Sequence, residues 1–240
     1  MGIAMTLTTQ SEPQVVMLSL WRNDEFRDIA GRIAHLLGKS YSNLRWLWIV
    51  GDSSDDTATI LQQAAKGNRC IQVLKHDTGL LGDEPRQRLV RLAATVEYAF
   101  VYGVNKLDDY VLIHESDLRS SVDLVEQLLA TKYCPVAGWP VLGNVFYDTW
   151  AYRANGKRFT NHSPYHEVYR PDAPFEVDSF GSVYMCHADD VRNGLRATPY
   201  ACLTVCEQLR KRFGRRLFVD PRIVVEQPTS LWTPAIGAPV

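Results

Sequence analysis

The feature that most constrains this chain is an alternation that fills its first half. Short apolar runs at residues 15–20, 44–50, 70–74 and 110–113 are each followed by a polar segment, and helical patterns lie between them. The runs are too short for amphipathic helices and rich in Val, Ile, Leu and Trp, so they read as buried strands. Ile29, Ile33, Leu36 and Leu37 recur at helical spacing up to Gly38. A second helix is predicted over 57–66. A third, over 86–102, carries Leu89, Leu92, Ala93, Val96, Ala99 and Phe100 on its apolar face. Strands separated by helices predict an α/β fold whose mostly parallel sheet is covered on both faces. Ligands of such sheets bind just beyond the carboxyl ends of the strands. Chemistry is therefore expected in Trp21-Arg22-Asn23-Asp24, in the turn Gly51-Asp52-Ser53-Ser54-Asp55-Asp56-Thr57, and in His114-Glu115-Ser116-Asp117.

From residue 134 the alternation breaks down into aromatic, Gly- and Pro-rich segments, with a helix predicted over 201–213 and a late strand over 223–225. This half reads as an elaboration on the same sheet edge, carrying loops rather than a separate core. The expected organisation is an N-terminal extension (1–14), one domain (15–227) and a Pro-containing tail (228–240). With 46% apolar and 22% charged residues, the composition excludes a disordered or fibrous chain. A formal net charge of −1 lacks the signature of a strong non-specific nucleic-acid binder, although it leaves room for a local basic groove. No apolar run approaches the ~20 residues that span a bilayer, and the N-terminus lacks the pattern of a signal peptide. A cytoplasmic location is the expectation. The five cysteines form no C-x-x-C pair. Cys202 and Cys206 stand at helical i, i+4 spacing but lack two further nearby ligands, so free thiols are expected. The N-terminal Met1-Gly2-Ile3-Ala4-Met5-Thr6 fits the bare myristoylation pattern, and Asn161-His162-Ser163 is a sequon followed by Pro164. Neither is given functional weight.

Glu115-Ser116-Asp117 directly after an apolar strand is the strongest local signal. Two carboxylates two residues apart at a strand end can hold a divalent cation in a hard oxygen site suited to Mg²⁺ or Mn²⁺. The alternative is that Asp117 caps a helix starting near Ser120 while Glu115 is solvated. Asp52 can accept hydrogen bonds from a ribose or base edge, with Asp55 or Asp56 capping the next helix. The segment from Phe146 to Arg153 is dense in aromatics beside an acid and an arginine, a surface suited to stacking on sugars or bases; for Phe146 and Trp150 an aromatic core strand is the alternative. Glu176 and Asp178 fall on one side of a predicted strand before Gly181, where one carboxylate can act as base or transition-state stabiliser, or both can belong to a turn. His162 and His166 are at i, i+4 but flank Pro164, which argues against a zinc helix. G-x-G-x-x-G, P-loop and G-x-S-x-G fingerprints are absent.

Taken in order, these segments resemble a glycosyltransferase of the GT-A fold. Trp21-Arg22-Asn23-Asp24 after the first strand is similar to the nucleotide-contacting start of family 2-type enzymes, and Asp52-Ser53-Ser54-Asp55-Asp56-Thr57 to their D-G-S-x-D-x-T turn. Glu115-Ser116-Asp117 falls where they carry the D-x-D metal motif. The segments Phe146 to Arg153 and Glu176 to Gly181 look more like the branch of the fungal Anp1/Mnn9 mannosyltransferases and the capsule-associated CAP59-like proteins. The resemblance covers roughly residues 15–227.

It implies a doubly wound GT-A domain with a nucleotide-sugar donor lying against Ser19, Trp21, Arg22, Asn23, Asp52 and Ser116. Its diphosphate is bridged through Mn²⁺ or Mg²⁺ to Asp117, with Glu115 assisting. The acceptor lies over Tyr147, Asp148, Trp150 and Arg153. Three departures stand out: Glu rather than Asp opens the metal triplet, Ala201-Cys202 replaces the acidic or E-H pair of the late helix, and Gln227 replaces a histidine after the last strand. These departures leave Asp178 as the expected catalytic residue, with Glu176 beside it. It serves as base if configuration inverts, or as an acceptor-positioning or charge-stabilising group if configuration is retained. Weak metal dependence is a corollary. The acceptor is open among a surface-glycan precursor, a protein and a hydroxymethylated base in phage DNA. Two basic clusters, at Arg86, Arg88 and Arg91 and at Arg210-Lys211-Arg212 with Arg215-Arg216, keep DNA modification among the readings; two solvated helix faces are the plainer account of them. A non-catalytic glycan- or nucleotide-binding module on a degenerate GT-A fold is the alternative function. A sugar nucleotidyltransferase lacks its Gly-rich signature here.

Overall fold

The structure is a computed structural model that describes residues 11–23, 28–80, 85–159 and 170–228. The myristoylation pattern, the sequon with His162 and His166, Asp24, and the tail from residue 229 lie outside the described residues.

Strands β1 (Val15–Trp21), β2 (Leu44–Gly51), β3 (Ile71–His76) and β4 (Tyr110–His114) form at the four apolar runs. They pair in parallel in the order β3-β2-β1-β4. Successive β1 residues face opposite layers, as strand geometry dictates. Val16 and Leu18 join Leu47, Ile49 and the α3 (Pro85–Gly103) residues Val96, Ala99 and Phe100. Val15, Met17 and Trp21 pack instead with Ile29 and Leu36 of α1 (Ile29–Leu37), Leu61 of α2 (Thr57–Ala65) and Leu124 of α4 (Leu124–Ala130). Burial on both faces is why β1, β2 and β4 are mostly apolar rather than alternating, whereas edge strand β3 leaves Gln72 and Lys75 exposed.

The second half is more than an edge elaboration. β6 (Val136–Leu142), β11 (Val183–His187) and β12 (Leu217–Glu226) extend the same sheet, which runs β12-β6-β11-β4-β1-β2-β3 with β10 (Phe175–Val177) at the far edge. β11 is antiparallel to both neighbours, whereas β6 and β12 pair in parallel. Two short strands, β5 (Arg119–Ser120) and β7 (Val145–Phe146), pair with β12 and β6. A hairpin of β8 (Arg153–Ala154) and β9 (Lys157–Arg158) sits apart from the sheet. α5 (Ala188–Arg192) and α6 (Cys202–Lys211) complete the helices of the described residues.

Two expectations are corrected here. The chain at Arg119–Ser120 is strand rather than helix, and the next helix starts at Leu124 behind Asp123, so Asp117 caps nothing. The aromatic segment is largely core. Phe146, Tyr152 and Phe159 interlock with Trp139, and fully buried Tyr152 donates its hydroxyl to the carbonyls of Gly138 and Gly181 at 2.8 and 3.2 Å. Among the described residues no helix is long and apolar enough to cross a membrane.

Candidate active site

Because β1, β2 and β4 run parallel, the segments that leave them emerge on one side of the sheet and enclose a cleft of about 540 Å³. Trp21, Arg22 and Asn23 come from the end of β1, Gly51 and Asp52 from β2, and Glu115, Ser116 and Asp117 from β4. Arg32 of α1 and Arg88, Arg91 and Thr95 of α3 close the walls.

The three loops are tied together. Asn23 and Asp52 both adopt positive φ, 49° and 47°, a region that Asn and Asp tolerate better than most side chains. The Asn23 amide donates to Ser53 Oγ at 3.1 Å, and its side-chain oxygen accepts from the Ser54 amide at 3.0 Å. Asp55 Oδ1 accepts from the amide of Thr57 where α2 begins. Asp52 accepts from the Thr78 amide and hydroxyl at 2.7 and 2.6 Å. Burial pushes the Asp52 carboxyl up, but the hydrogen bonds of Thr78 and Asp77 and the charge of Arg91 outweigh it and hold the group below its usual range. Ser116 donates its hydroxyl to the Leu20 carbonyl at 2.6 Å, while Arg32 donates to the Ser116 carbonyl at 2.9 Å and to its hydroxyl. The same guanidinium lies 4.8 Å from the Trp21 ring centroid, a cation–π contact.

Glu115 and Asp117 lie within electrostatic reach of a third acid, Asp148, and of the Tyr147 hydroxyl. Burial, then the charges of Asp117 and Asp148, raise the Glu115 carboxyl well above its usual range; Arg88 opposes this. Burial also raises the Asp148 carboxyl despite hydrogen bonds from Ser182 Oγ (2.7 Å) and the Ala151 amide (3.0 Å). Burial and the same three carboxylates push Tyr147 up to about 12. Asp148 can tuck into this position because residue 181 is glycine: a Cβ there would meet Asp148 Oδ2 and Ala151 Cβ at 2.6 Å each.

Not every expected residue reaches the cleft. Ser19 is fully buried on the β1 face that carries Met17 and Trp21. Asp178 lies 3.0 Å from Arg210 Nη1, and its other oxygen accepts from the Gly156 amide at 2.6 Å. Glu176, on edge strand β10, pairs with Arg216 at 2.7 Å. Trp150 packs against the aromatic core, and Arg153 belongs to the β8–β9 hairpin, bridged to Ser179. The sequence reading missed Arg32 and Thr78, and it quoted Gly181 and Ser182 only as the end of the Glu176 segment, with no link to Asp148. Thr78 follows β3, so the carboxyl-end rule could have found it; Arg32 carries no local signal.

The fold has solved relatives. A structure of GalNAc-T7 with UDP, GalNAc and Mn²⁺ aligns at a TM-score of 0.62 and 10% identity, over 91% of this chain and 44% of that one. Mannosyltransferase PcManGT from Pyrobaculum calidifontis, in complex with GDP-Man and Mn²⁺, aligns at 0.58 and 13% over 94% of this chain and 59% of its own. TarS 1–349 from S. aureus aligns at 0.57 and 10% over 90% and 60%. The chain has a GT-A fold. It spans about half the length of these structures. No family model matches the sequence, and neither does any curated protein.

Two of these GT-A structures hold Mn²⁺, which raises the question of whether the donors present here suit a cation. Among the described residues no three His, Cys, Asp or Glu side chains converge as a metal-binding group. Glu115 and Asp117 nevertheless offer carboxylate oxygens, and buried Gln227 approaches them, its Nε2 lying 3.5 Å from Asp117 Oδ2. The Gln227 carbonyl oxygen is buried and has no hydrogen-bond partner among the described residues. The two carboxylates, with the Gln227 amide next to Asp117, offer oxygen donors of the kind that suits Mg²⁺ or Mn²⁺.

Proposed function

We propose that this chain is a glycosyltransferase that moves a sugar from a nucleoside-diphosphate donor to an acceptor hydroxyl. One observation carries the reading: at the carboxyl ends of β1, β2 and β4, a single cleft combines Arg22, Arg88 and Arg91 with the Glu115 and Asp117 carboxylates. Cations and a metal-competent acid pair in one cavity suit a diphosphate, and Asp52 beside Trp21 suits a nucleoside. The order of the sequence motifs supports the same reading, including its likeness to the Anp1/Mnn9 branch.

In this scheme Asp52 accepts from the ribose or base while Trp21 and Asn23 shape the nucleoside end. Arg22, Arg88 and Arg91 face the diphosphate. A Mg²⁺ or Mn²⁺ ion, held by Glu115, Asp117 and the Gln227 carbonyl, would neutralise charge on the departing diphosphate. The acceptor approaches from the β11 and β6 side, where Asp148, Tyr147 and Ser182 lie. Asp148 replaces Asp178 as the general base. Its carboxylate takes the acceptor proton as the acceptor oxygen bonds to the anomeric carbon; the carbon–oxygen bond to phosphate breaks, and the nucleoside diphosphate leaves with that electron pair. Burial raises the Asp148 carboxyl and so makes it a better proton acceptor, as a general base requires, whereas Asp178 has one oxygen on Arg210 and the other on the Gly156 amide. Attack from the face opposite the leaving group inverts configuration.

A saccharide or protein acceptor is favoured over DNA. The second basic cluster is committed within the chain: Arg210 to Asp178, Lys211 to Glu207, Arg212 to the Gly194 carbonyl, Arg215 to Asp190 and Arg216 to Glu176. Arg88 and Arg91 of the first line the cleft. The test is a thermal-shift panel of UDP, GDP and their sugars with and without Mn²⁺, followed by donor hydrolysis in wild type and Asp148→Asn. A ligand present at 100 times its dissociation constant stabilises by ~2.7 kcal/mol. Binding with hydrolysis that Asp148→Asn abolishes is the expected result. Binding without turnover would leave a non-catalytic module, and no binding would refute the donor site.

A further inference from the structure

The acidic loop between β4 and α4 is held from beneath by one side of one helix. Arg32 and His35 of α1, and Lys39 just past its Gly38 cap, follow at spacings of three and four, which place side chains on a common face. All three reach the loop that carries Glu115 and Asp117. Arg32 takes its middle, at Ser116. His35 Nε2 accepts from the Ser120 amide at 3.1 Å. Lys39, only 8% exposed, donates to the Ser120 carbonyl (3.1 Å), the Ser120 hydroxyl (2.9 Å) and the Ser121 carbonyl (2.8 Å).

The chemistry of these groups gives the network a direction. An ammonium only donates, so Ser120 Oγ accepts from Lys39 and spends its own hydrogen on His114 Nε2, 2.9 Å away. That leaves His114 Nδ1 as the protonated nitrogen, donating to the Glu115 carbonyl at 2.9 Å. The chain of donors therefore runs Lys39, Ser120, His114, Glu115, and ends on the backbone of the first acid of the pair. His114 is fully buried. A loop that needed only to be covered could be packed with apolar side chains at less desolvation cost than a buried lysine.

We propose that Lys39, acting through Ser120 and His114, is a positioning residue that fixes the backbone from which Glu115 and Asp117 project, so that the two carboxylates are aimed before cation and donor arrive. This rests on the assignment of Glu115 and Asp117 to a cation above. Partners one step behind metal ligands typically contribute 10- to 100-fold to metal affinity.

The test is Mn²⁺ titration followed by the electron paramagnetic resonance signal of the free ion, in wild type, Lys39→Met, Ser120→Ala and Ser120→Thr, with melting temperature recorded for each. Lys39→Met and Ser120→Ala are expected to weaken Mn²⁺ by ~10- to 100-fold. Ser120→Thr, which keeps the hydroxyl, is expected to restore wild-type affinity. Wild-type Mn²⁺ affinity in folded Ser120→Ala would overturn the proposal, as would equal losses in the Ala and Thr variants. If Lys39→Met does not fold, the Ser120 pair decides alone. Wild type that binds no Mn²⁺ would instead refute the cation site itself, and the proposal with it.

Discussion

Gly181→Ala tests the placement of Asp148, the proposed base, without replacing it. The glycine has no unusual backbone angle, so alanine is tolerated there by the main chain; the obstacle is space. Its Cβ would stand 2.6 Å from Asp148 Oδ2 and 2.6 Å from Ala151 Cβ, against an ordinary contact of 3.4 Å or more. Relief requires Asp148 to retreat by about 0.8 Å, the difference between those two distances. That movement pulls against the bonds from Ser182 and the Ala151 amide, at 2.7 and 3.0 Å. A misplacement near 1 Å costs ~100-fold in rate, so kcat should fall by ~30- to 100-fold while nucleotide affinity holds. Overpacking costs ~1–3 kcal/mol, seen as a fall of several degrees in Tm. Steady-state kinetics, nucleotide titration and a melting curve on one preparation give all three quantities. Combined with Asp148→Asn, the second substitution should add little, because both act on one group. A kcat within threefold of wild type would refute the assignment of Asp148. Equal loss of nucleotide affinity would point to a disturbed cleft instead.

Other outcomes follow from the same geometry. Burial, then the charge of Lys39, lowers His114 from 6.5 to about 3, so the folded state takes up its proton later than the unfolded chain. His114 therefore stabilises fully above pH ~6.5 and loses ~2 kcal/mol by pH 5, the loss continuing until pH passes its folded value. In metal-free protein, urea titration should show the gap between wild type and His114→Gln shrinking by that amount from pH 7.5 to 5; a constant gap contradicts a buried neutral imidazole. The wild-type slope alone is not diagnostic, since raised Glu115 and Asp148 carboxyls act in the opposite sense. Arg88→Ala should weaken a nucleoside diphosphate ~10-fold and the bare nucleoside not at all, read by calorimetric titration. Gln227→His exchanges an amide oxygen for an imidazole, which suits Co²⁺, Ni²⁺ and Zn²⁺ better than Mg²⁺. Metal competition should shift accordingly and weaken below pH ~6.5; an unaltered preference would mean that residue 227 does not touch the ion.

The amino-acid sequence by itself determined the first half of the sheet, because its inner parallel strands are buried on both faces and are mostly apolar. It also determined where the cleft lies. Trp21, Arg22, Asn23, Asp52, Glu115, Ser116 and Asp117 meet there because parallel strands end on a common side. Strand β6 was not legible: it contains Gly138 and Pro140, poor strand residues, and Gly138 is required because β12 passes so close that a Cβ would stand 2.9 Å from Val225. Only the tertiary structure distinguishes the surroundings of the acids of the second half. Asp178 and Asp148 look alike in sequence, each a carboxylate in an aromatic segment. What separates them is contributed from far along the chain: Arg210, 3.0 Å from Asp178, occupies one, while Gly181 and Ser182 make room for the other beside Glu115. A side chain's burial is written into local periodicity, but the charge that faces it is set by whichever remote element the fold brings alongside.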